Sequence, residues 1–267
     1  MRVLEIWLFL VSAAIGYFLG SISFARIGLK LAGADRDITE LSISVEGTDE
    51  TTPVEIFGAN AASMILGAKG GIAIGIMDML KIGIPMAIFR FFLFPADYYH
   101  LVISVAGLMG HNWPIYFGFK GGRGFSVIFG SLVIVDWLGA FTLPVMGTMF
   151  GLFVVGNMLV GYVSWLILLI PWLWVRTLDY VYLIYSLFIA LLFGISVRPE
   201  ASAINRYRKE GKLEEYQKGL YDSSPRWRGM RRMQERVNAL GRARYVVGLV
   251  VLIVIILVFL NVGTLPF

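Results

Sequence analysis

The 267-residue chain has no cysteine, which excludes disulfides, iron–sulfur clusters and thiolate catalysis. It has only two histidines, His100 and His111, too few for a multi-histidine metal site, so no metal is expected. Charge is scarce as well: 15% of residues are Asp, Glu, Lys or Arg, against 58% that are hydrophobic. With a mean hydropathy of +0.75, that balance does not fit a soluble domain. Several nearly uncharged runs reach about 20 residues, the length that crosses a hydrocarbon core of about 30 Å. The expected fold class is all-α: a polytopic membrane helical bundle with about eight transmembrane helices plus a short interfacial or re-entrant helix. The net charge of +5 is concentrated in one connector and reads as membrane-surface topology. Membrane lipids are the expected surroundings, and no nucleic-acid partner is expected.

The first apolar helix is predicted over 4–30 and read as retained, because no small-residue cleavage site accompanies it. Its Gly16, Gly20, Ser21 and Ser23 suit close helix packing. A polar loop over 33–55 carries Asp35, Asp37, Glu40, Glu46, Asp49 and Glu50. Residues 56–67 are apolar but too few to span, so an interfacial or re-entrant half-helix is predicted there. Helices are then expected over about 69–94, 97–116, 121–136, 138–156, 158–175, 179–197 and 244–264. Three regions follow from this: a seven-helix membrane domain over 1–200, a basic cytoplasmic connector over 201–243, and an additional transmembrane helix over 244–267.

Residues 198–244 contain thirteen lysines and arginines, which places that segment in the cytoplasm. Counting spans backwards puts the turns at Lys69 and Lys120 on the same face and both termini outside. The opposite connections hold Tyr98, Tyr99, Trp137, Trp172, Trp174 and Tyr180, an aromatic belt with few cations. The expected location is the cell membrane, multi-pass, with a cytoplasmic active face. Segment 205–236 reads either as an amphipathic helix on anionic lipid or as a solvated basic connector.

Between two apolar runs stands Lys120-Gly121-Gly122-Arg123-Gly124. Glycines let backbone N–H groups turn inward around an anion, and a following helix points its positive end at the same spot. With Lys120 and Arg123 adding full charge, a phosphate is the simplest partner. Lys69-Gly70-Gly71, about 50 residues earlier, reads as a second cradle facing the same cavity, or as an ordinary turn beside a span. Asp78 and Lys81, at i and i+3, read as a structural ion pair inside the membrane, with one of them reaching the pocket as the alternative. His111 fits a general base for a hydroxyl, or a histidine bonded to backbone that holds the loop.

Gly110-His111, Pro114, Tyr116 and Phe119 through Ser126 resemble the second motif of the bacterial acyl-phosphate:glycerol-3-phosphate acyltransferases, the PlsY type. Tyr17 to Phe24 is similar to the first-helix pattern of that family, and Asp78-Met79-Leu80-Lys81 to its Asp-x-x-Lys. The resemblance covers about residues 10–200. It implies transfer of a fatty acyl group from acyl phosphate to glycerol 3-phosphate in phospholipid synthesis, with no metal or coenzyme. Read from the residues themselves, Lys120, His111 and Ser21 are the candidate catalytic residues, and Lys120, Gly121, Gly122, Arg123, Gly124, Lys69, Gly70, Gly71 and Asn60 the candidates to bind phosphate. The chain departs from the first motif, with Val54, Ile56, Asn60, Ala61 and Met64 where the family has Ser, Asn, Thr, Asn and Arg. It departs from the third motif too, with no histidine near Arg198-Pro199-Glu200. The resemblance therefore leaves three readings: an acyltransferase with altered acceptor or donor contacts, a non-catalytic relative that binds a phosphorylated lipid or metabolite as a scaffold, or a transporter.

Overall fold

Small polar residues break the first apolar run. Helix α1 covers Val3–Gly20 and α2 covers Phe24–Leu31, so the single helix expected over 4–30 is interrupted at residues 21–23. Ser23 starts the second piece, its Oγ accepting from the Arg26 N–H at 3.4 Å. This computed structural model describes residues 3–34, 38, 41–45, 50–53 and 57–265. The acidic residues Asp35, Asp37, Glu40, Glu46 and Asp49, and the motif positions Val54 and Ile56, lie outside the described residues. A short antiparallel hairpin adds strand to the expected all-helical chain. Its β1, Ser42–Ser44, pairs with β2, Thr51–Pro53, placing Ile43 opposite Thr52.

Helix α3, Ala59–Ile88, contains a sharp reversal at Gly67, where φ is +72° and ψ is −177°. A side chain at Gly71 would put its Cβ 2.5 Å from the Ser63 Cβ and 3.0 Å from the Ala59 carbonyl oxygen. Residues 59–66 therefore fold back against the start of the spanning half. This is the short half-helix expected over 56–67, and glycine at 67 and 71 is what lets it close.

Two compact units emerge: Met1–Ile134 with Leu191–Arg228, and Val135–Ala190 with Gly229–Phe267. In the first, α4 (Tyr99–Asn112) packs against α1. The contact is glycine on backbone: a Cβ on Gly20 would fall 2.2 Å from the Gly107 oxygen, and one on Gly110 would fall 2.1 Å from the Tyr17 oxygen. Small residues bring the two helices this close, as in membrane bundles generally. Ile82, Met86, Ile103 and Leu108 fill the interior around them, and α5 (Phe125–Val135) follows.

The second unit contains α6 (Trp137–Met149), a wide turn over Phe150–Val155, α7 (Met158–Thr177) and α12 (Ala243–Val262). A Cβ on Gly248 would fall 2.7 Å from the Phe153 oxygen, so α12 packs closely on that turn. Asp136 and Arg176 form a buried pair here.

The fold is a polytopic membrane helical bundle. Five stretches are long and apolar enough to cross a membrane: Glu5–Leu31, Ala59–Leu93, Trp137–Val155, Met158–Thr177 and Ala243–Val262. Helix α8, Tyr180–Ser196, and α9, Arg198–Lys209, make a sixth if the pair, bent by 52°, is taken as one span. At 14 and 11 residues, α4 and α5 fall short of the ~20 that reach across a bilayer. The expected helix over 121–136 starts only at Phe125, because Gly118, Phe119 and Gly124 all have φ near +60° to +80°.

The connector is helical rather than loose. After α9 come α10, Leu213–Asp222, and α11, Pro225–Asn238. Within the first unit Tyr207 stacks on Tyr216, centroids 4.7 Å apart, and shares a 2.6 Å hydrogen bond with Thr52. Leu220 packs on the core of Ala25, Leu29 and Phe57.

Candidate active site

The helix break at 21–23 shapes one wall of the site. Where a helix stops, its last carbonyls lose their partners, and the Ile22 carbonyl accepts from Lys81 Nζ at 2.7 Å. The same ammonium lies 2.8 Å from Asp78 Oδ1, with both side chains almost wholly buried. It also lies 3.0 Å from His111 Nδ1. The expected Asp78–Lys81 pair is thus formed and reaches a third residue; Asp78 also stands 3.7 Å from that ring nitrogen. The Ser21 hydroxyl donates to the Tyr17 carbonyl at 2.8 Å and accepts from the Ile115 N–H at 3.4 Å. Ser21 therefore ties the broken helix to the loop after α4.

That loop is laid over His111. The Gly122 N–H donates to the His111 carbonyl at 3.0 Å, and the Gly121 carbonyl accepts from the Phe57 N–H at 3.2 Å. A Cβ on Gly121 would fall 2.1 Å from the His111 oxygen, and one on Gly122 would fall 2.2 Å from His111 Nε2. Only glycine permits this approach. Between these parts lies a small open cleft lined by Ser21, Ser23, Phe57, Asp78, His111, Gly121 and Gly122. It encloses about 10 Å³ for solvent, room for roughly one water.

The expected anion nest is only partly free, because the Gly122 amide is already engaged by His111. Among the described residues the amides of Gly121, Arg123 and Gly124 have no backbone partner. Arg123 turns from the cleft and grips Glu200, Nε to Oε1 at 2.8 Å and Nη2 to Oε1 at 2.7 Å. The Lys120 side chain is exposed and does not line the cleft. Lys69 is exposed near the tip of the α3 reversal, and Gly70 and Gly71 face the returning half-helix. Lys69, Gly70 and Gly71 do not line the cleft. Asn60 accepts at Oδ1 from the Ser224 hydroxyl at 3.1 Å; its half-helix begins at Gly58, which lies beside Gly122 and His111.

Three participants were not expected at the site. Arg26 lies over the Phe117 ring at 4.3 Å and donates to the Lys120 carbonyl at 3.1 Å. Phe57 lines the cleft, and Glu200 lies 77 residues from the arginine it pairs with. Only Arg26 left a trace, as a cation three residues after a serine that caps a helix.

Residues 10–206 match the family model described as glycerol-3-phosphate acyltransferase. The chain belongs to that family. A glycerol-3-phosphate acyltransferase of Desulfotalea psychrophila is 33% identical over 194 residues, covering 69% of this chain and 88% of the relative. One of Shouchella clausii is 36% identical over 128 residues, covering 47% and 56%. The chain spans a little over half the length of that relative and of the Paramagnetospirillum magneticum relative, at 56% and 57%. The crystal structure of PlsY, an integral membrane glycerol 3-phosphate acyltransferase, in its glycerol 3-phosphate form superposes with a TM-score of 0.60. Identity is 25%, over 76% of this chain and 92% of that one. Its lysophosphatidic acid form gives 0.57 at 24% identity, over 78% and 97%. The family match takes in the whole cleft and stops within α9, so α10 to α12 lie beyond it. Glu200, the partner of Arg123, lies within the matched residues.

Proposed function

We propose that this protein is an acyltransferase that moves a fatty acyl group from acyl phosphate to glycerol 3-phosphate at the cytoplasmic face of the cell membrane. The observation that carries the reading is the cleft where Gly121, Gly122 and His111 meet the buried Asp78–Lys81 pair, in a chain of this family. In the reaction the acceptor hydroxyl oxygen bonds to the acyl carbon, the carbon–oxygen bond to phosphate breaks, and inorganic phosphate leaves with the hydroxyl's proton balanced on it. Both substrates carry phosphate, so positioning and charge stabilisation account for most of the catalysis. In this reading the amides of Gly121 and Gly124 and the cations Lys120 and Arg123 hold phosphate oxygens, with Arg123 exchanging Glu200 for substrate. Ser21 and Asn60 keep the two walls in place.

Purified protein given acyl phosphate and glycerol 3-phosphate is expected to release phosphate and form 1-acyl-glycerol 3-phosphate together. Phosphate release without the acylated product would refute the acceptor, and neither product would refute the activity.

The orientation rests on the thirteen cations of residues 198–244. In this reading, with an even number of spans, both termini lie outside and the connector lies in the cytoplasm. Ser223→Cys in this cysteine-free chain is expected to resist a membrane-impermeant thiol reagent on intact cells and to react after lysis. Labelling of intact cells would reverse the topology.

A further inference from the structure

We propose that α11 and its elbow into α12 form a docking surface for anionic phospholipid headgroups, made by Arg232, Arg236 and Arg242. Of the two readings of the basic segment, a helix on lipid or a solvated connector, this is the first. It stands apart from the acyl-transfer reading and draws only on residues of the second unit. The elbow sets the depth of the helix. Helix α12 is long and apolar enough to span. Arg244, in its first turn, donates from Nη1 to Asn238 Oδ1 at 2.9 Å, and Asn238 is the last residue of α11. The chain between them turns tightly, with Gly241 at φ +55° and its N–H donating to the Asn238 carbonyl at 3.1 Å. The end of α11 is therefore held at the mouth of a span. Headgroups lie at that level, in a layer about 5–7 Å deep outside the hydrocarbon.

One face of α11 is already taken. Met230 and Val237 are buried, and Gln234 between them accepts at Oε1 from the Met158 N–H at 2.7 Å, at the start of α7. Four-residue spacing puts Arg232 and Arg236 together on the opposite side. Both are exposed, and so is Arg242 in the elbow. Glu235, the acidic residue of α11, takes Arg231 Nε at 2.9 Å. Among the described residues Arg232, Arg236 and Arg242 meet no carboxylate. Apolar groups stand exposed among these cations: Met233 and Leu240 are each 47% exposed, and Tyr245 is 63% exposed. Water disfavours that mixture. A membrane interface takes it, with apolar side chains at the acyl boundary and cations at the phosphates. Guanidinium groups grip phosphate oxygens in pairs. A choline headgroup brings its own cation and cancels the phosphate charge, so three uncompensated arginines select headgroups with net negative charge.

The test uses the full chain with Met233→Cys, the one thiol in a chain without cysteine. It is labelled with a polarity-sensitive fluorophore and placed in nanodiscs of phosphatidylcholine with rising phosphatidylglycerol. Emission is expected to move to the blue as phosphatidylglycerol rises. Salt at about 1 M, where the screening length is about 3 Å, is expected to reverse the shift. Each arginine near an anionic surface strengthens association about fivefold. Arg236→Gln should therefore raise the phosphatidylglycerol needed for half the shift about fivefold, and Arg232→Gln, Arg236→Gln and Arg242→Gln together should abolish it. The three side chains are exposed, so the triple variant should melt with the parent, which separates lost docking from a lost fold.

Emission indifferent to phosphatidylglycerol would overturn the proposal and leave this face of α11 in water. A blue shift already complete in phosphatidylcholine and insensitive to salt would overturn it as well, since apolar contact alone would then hold the helix. The same shift on adding inorganic phosphate to pure phosphatidylcholine discs would assign the arginines to a soluble anion and not to a headgroup. If the triple variant melts early, the lipid and salt titrations of the labelled parent still decide. A protein that shows no acyl transfer leaves every arm of this test standing.

Discussion

Gly122→Ala is expected to lower acyl transfer by about 100- to 1000-fold, the scale on which loss of one fixed donor to a developing charge is felt, while the bundle stays folded. The added Cβ would lie 2.2 Å from His111 Nε2 and 3.0 Å from two carbons of the same ring. The imidazole has little room to retreat, because its other nitrogen is held by Lys81 at 3.0 Å. The methyl also enters a cleft with room for about one water, where the proposed function seats a phosphate oxygen. Binding and chemistry therefore fall together. Gly118→Ala is the matching control: nothing lies within 4 Å of its Cβ, although φ is +59°. It should cost about 1 kcal/mol of stability for the left-handed conformation and leave turnover near the parent value. Steady-state rates, phosphate titration and detergent-phase melting on both variants check the contrast. A Gly122→Ala protein with near-parent activity would remove the loop from the site.

The membrane class, the cleft loop and the Asp78–Lys81 pair were legible because each is local. Hydropathy needs only a window, Lys120 to Gly124 concentrates glycine and charge within five positions, and i to i+3 spacing sets two side chains on one helix face. What was not legible depends on chain reversal or on distant partners. Ser21 and Ser23 look alike as packing residues and as a break; the break is favoured here because Lys81 and the Ile115 amide satisfy the groups it exposes. Lys69-Gly70-Gly71 resembles Lys120-Gly121-Gly122 in letters. Yet the glycines of the first serve a fold-back at Gly67, and those of the second serve contact with His111. No local signal says that Arg123 is met by Glu200, or that Lys120 is exposed. The ends of α4 and α5 were less legible for a similar reason: the backbone of residues 113–124 is committed to the loop.

Arg176→Met is expected to be the most damaging single change in the second unit, costing about 3–5 kcal/mol, as when one partner of a buried ion pair is removed. The side chains of Arg176 and Asp136 are 1% and 2% exposed. The guanidinium spans the carboxylate, Nε to Oδ2 and Nη2 to Oδ1 both at 3.1 Å, and the Trp172 N–H donates to Oδ2 at 2.7 Å. Its remaining nitrogen, Nη1, donates to the carbonyls of Val262 and Leu265 at 3.2 and 2.6 Å. These carbonyls belong to the last turn of α12 and just beyond, groups a helix end leaves without partners inside a membrane. Loss of Arg176 thus strands a carboxylate and two carbonyls together. If the carboxylate dominates, Asp136→Leu combined with Arg176→Met recovers most of the stability, since a well-packed apolar pair often replaces a buried ionic one at little cost. If the carbonyls dominate, the double variant stays as unstable as the single one, and a cysteine placed at Thr264 becomes more reactive in both. Melting of the three proteins in one detergent, read with that thiol reactivity, separates the two contributions. A single variant that melts with the parent would show that the α12 terminus is held by packing alone, through Phe259 on Trp172 and Gly248 on Phe153.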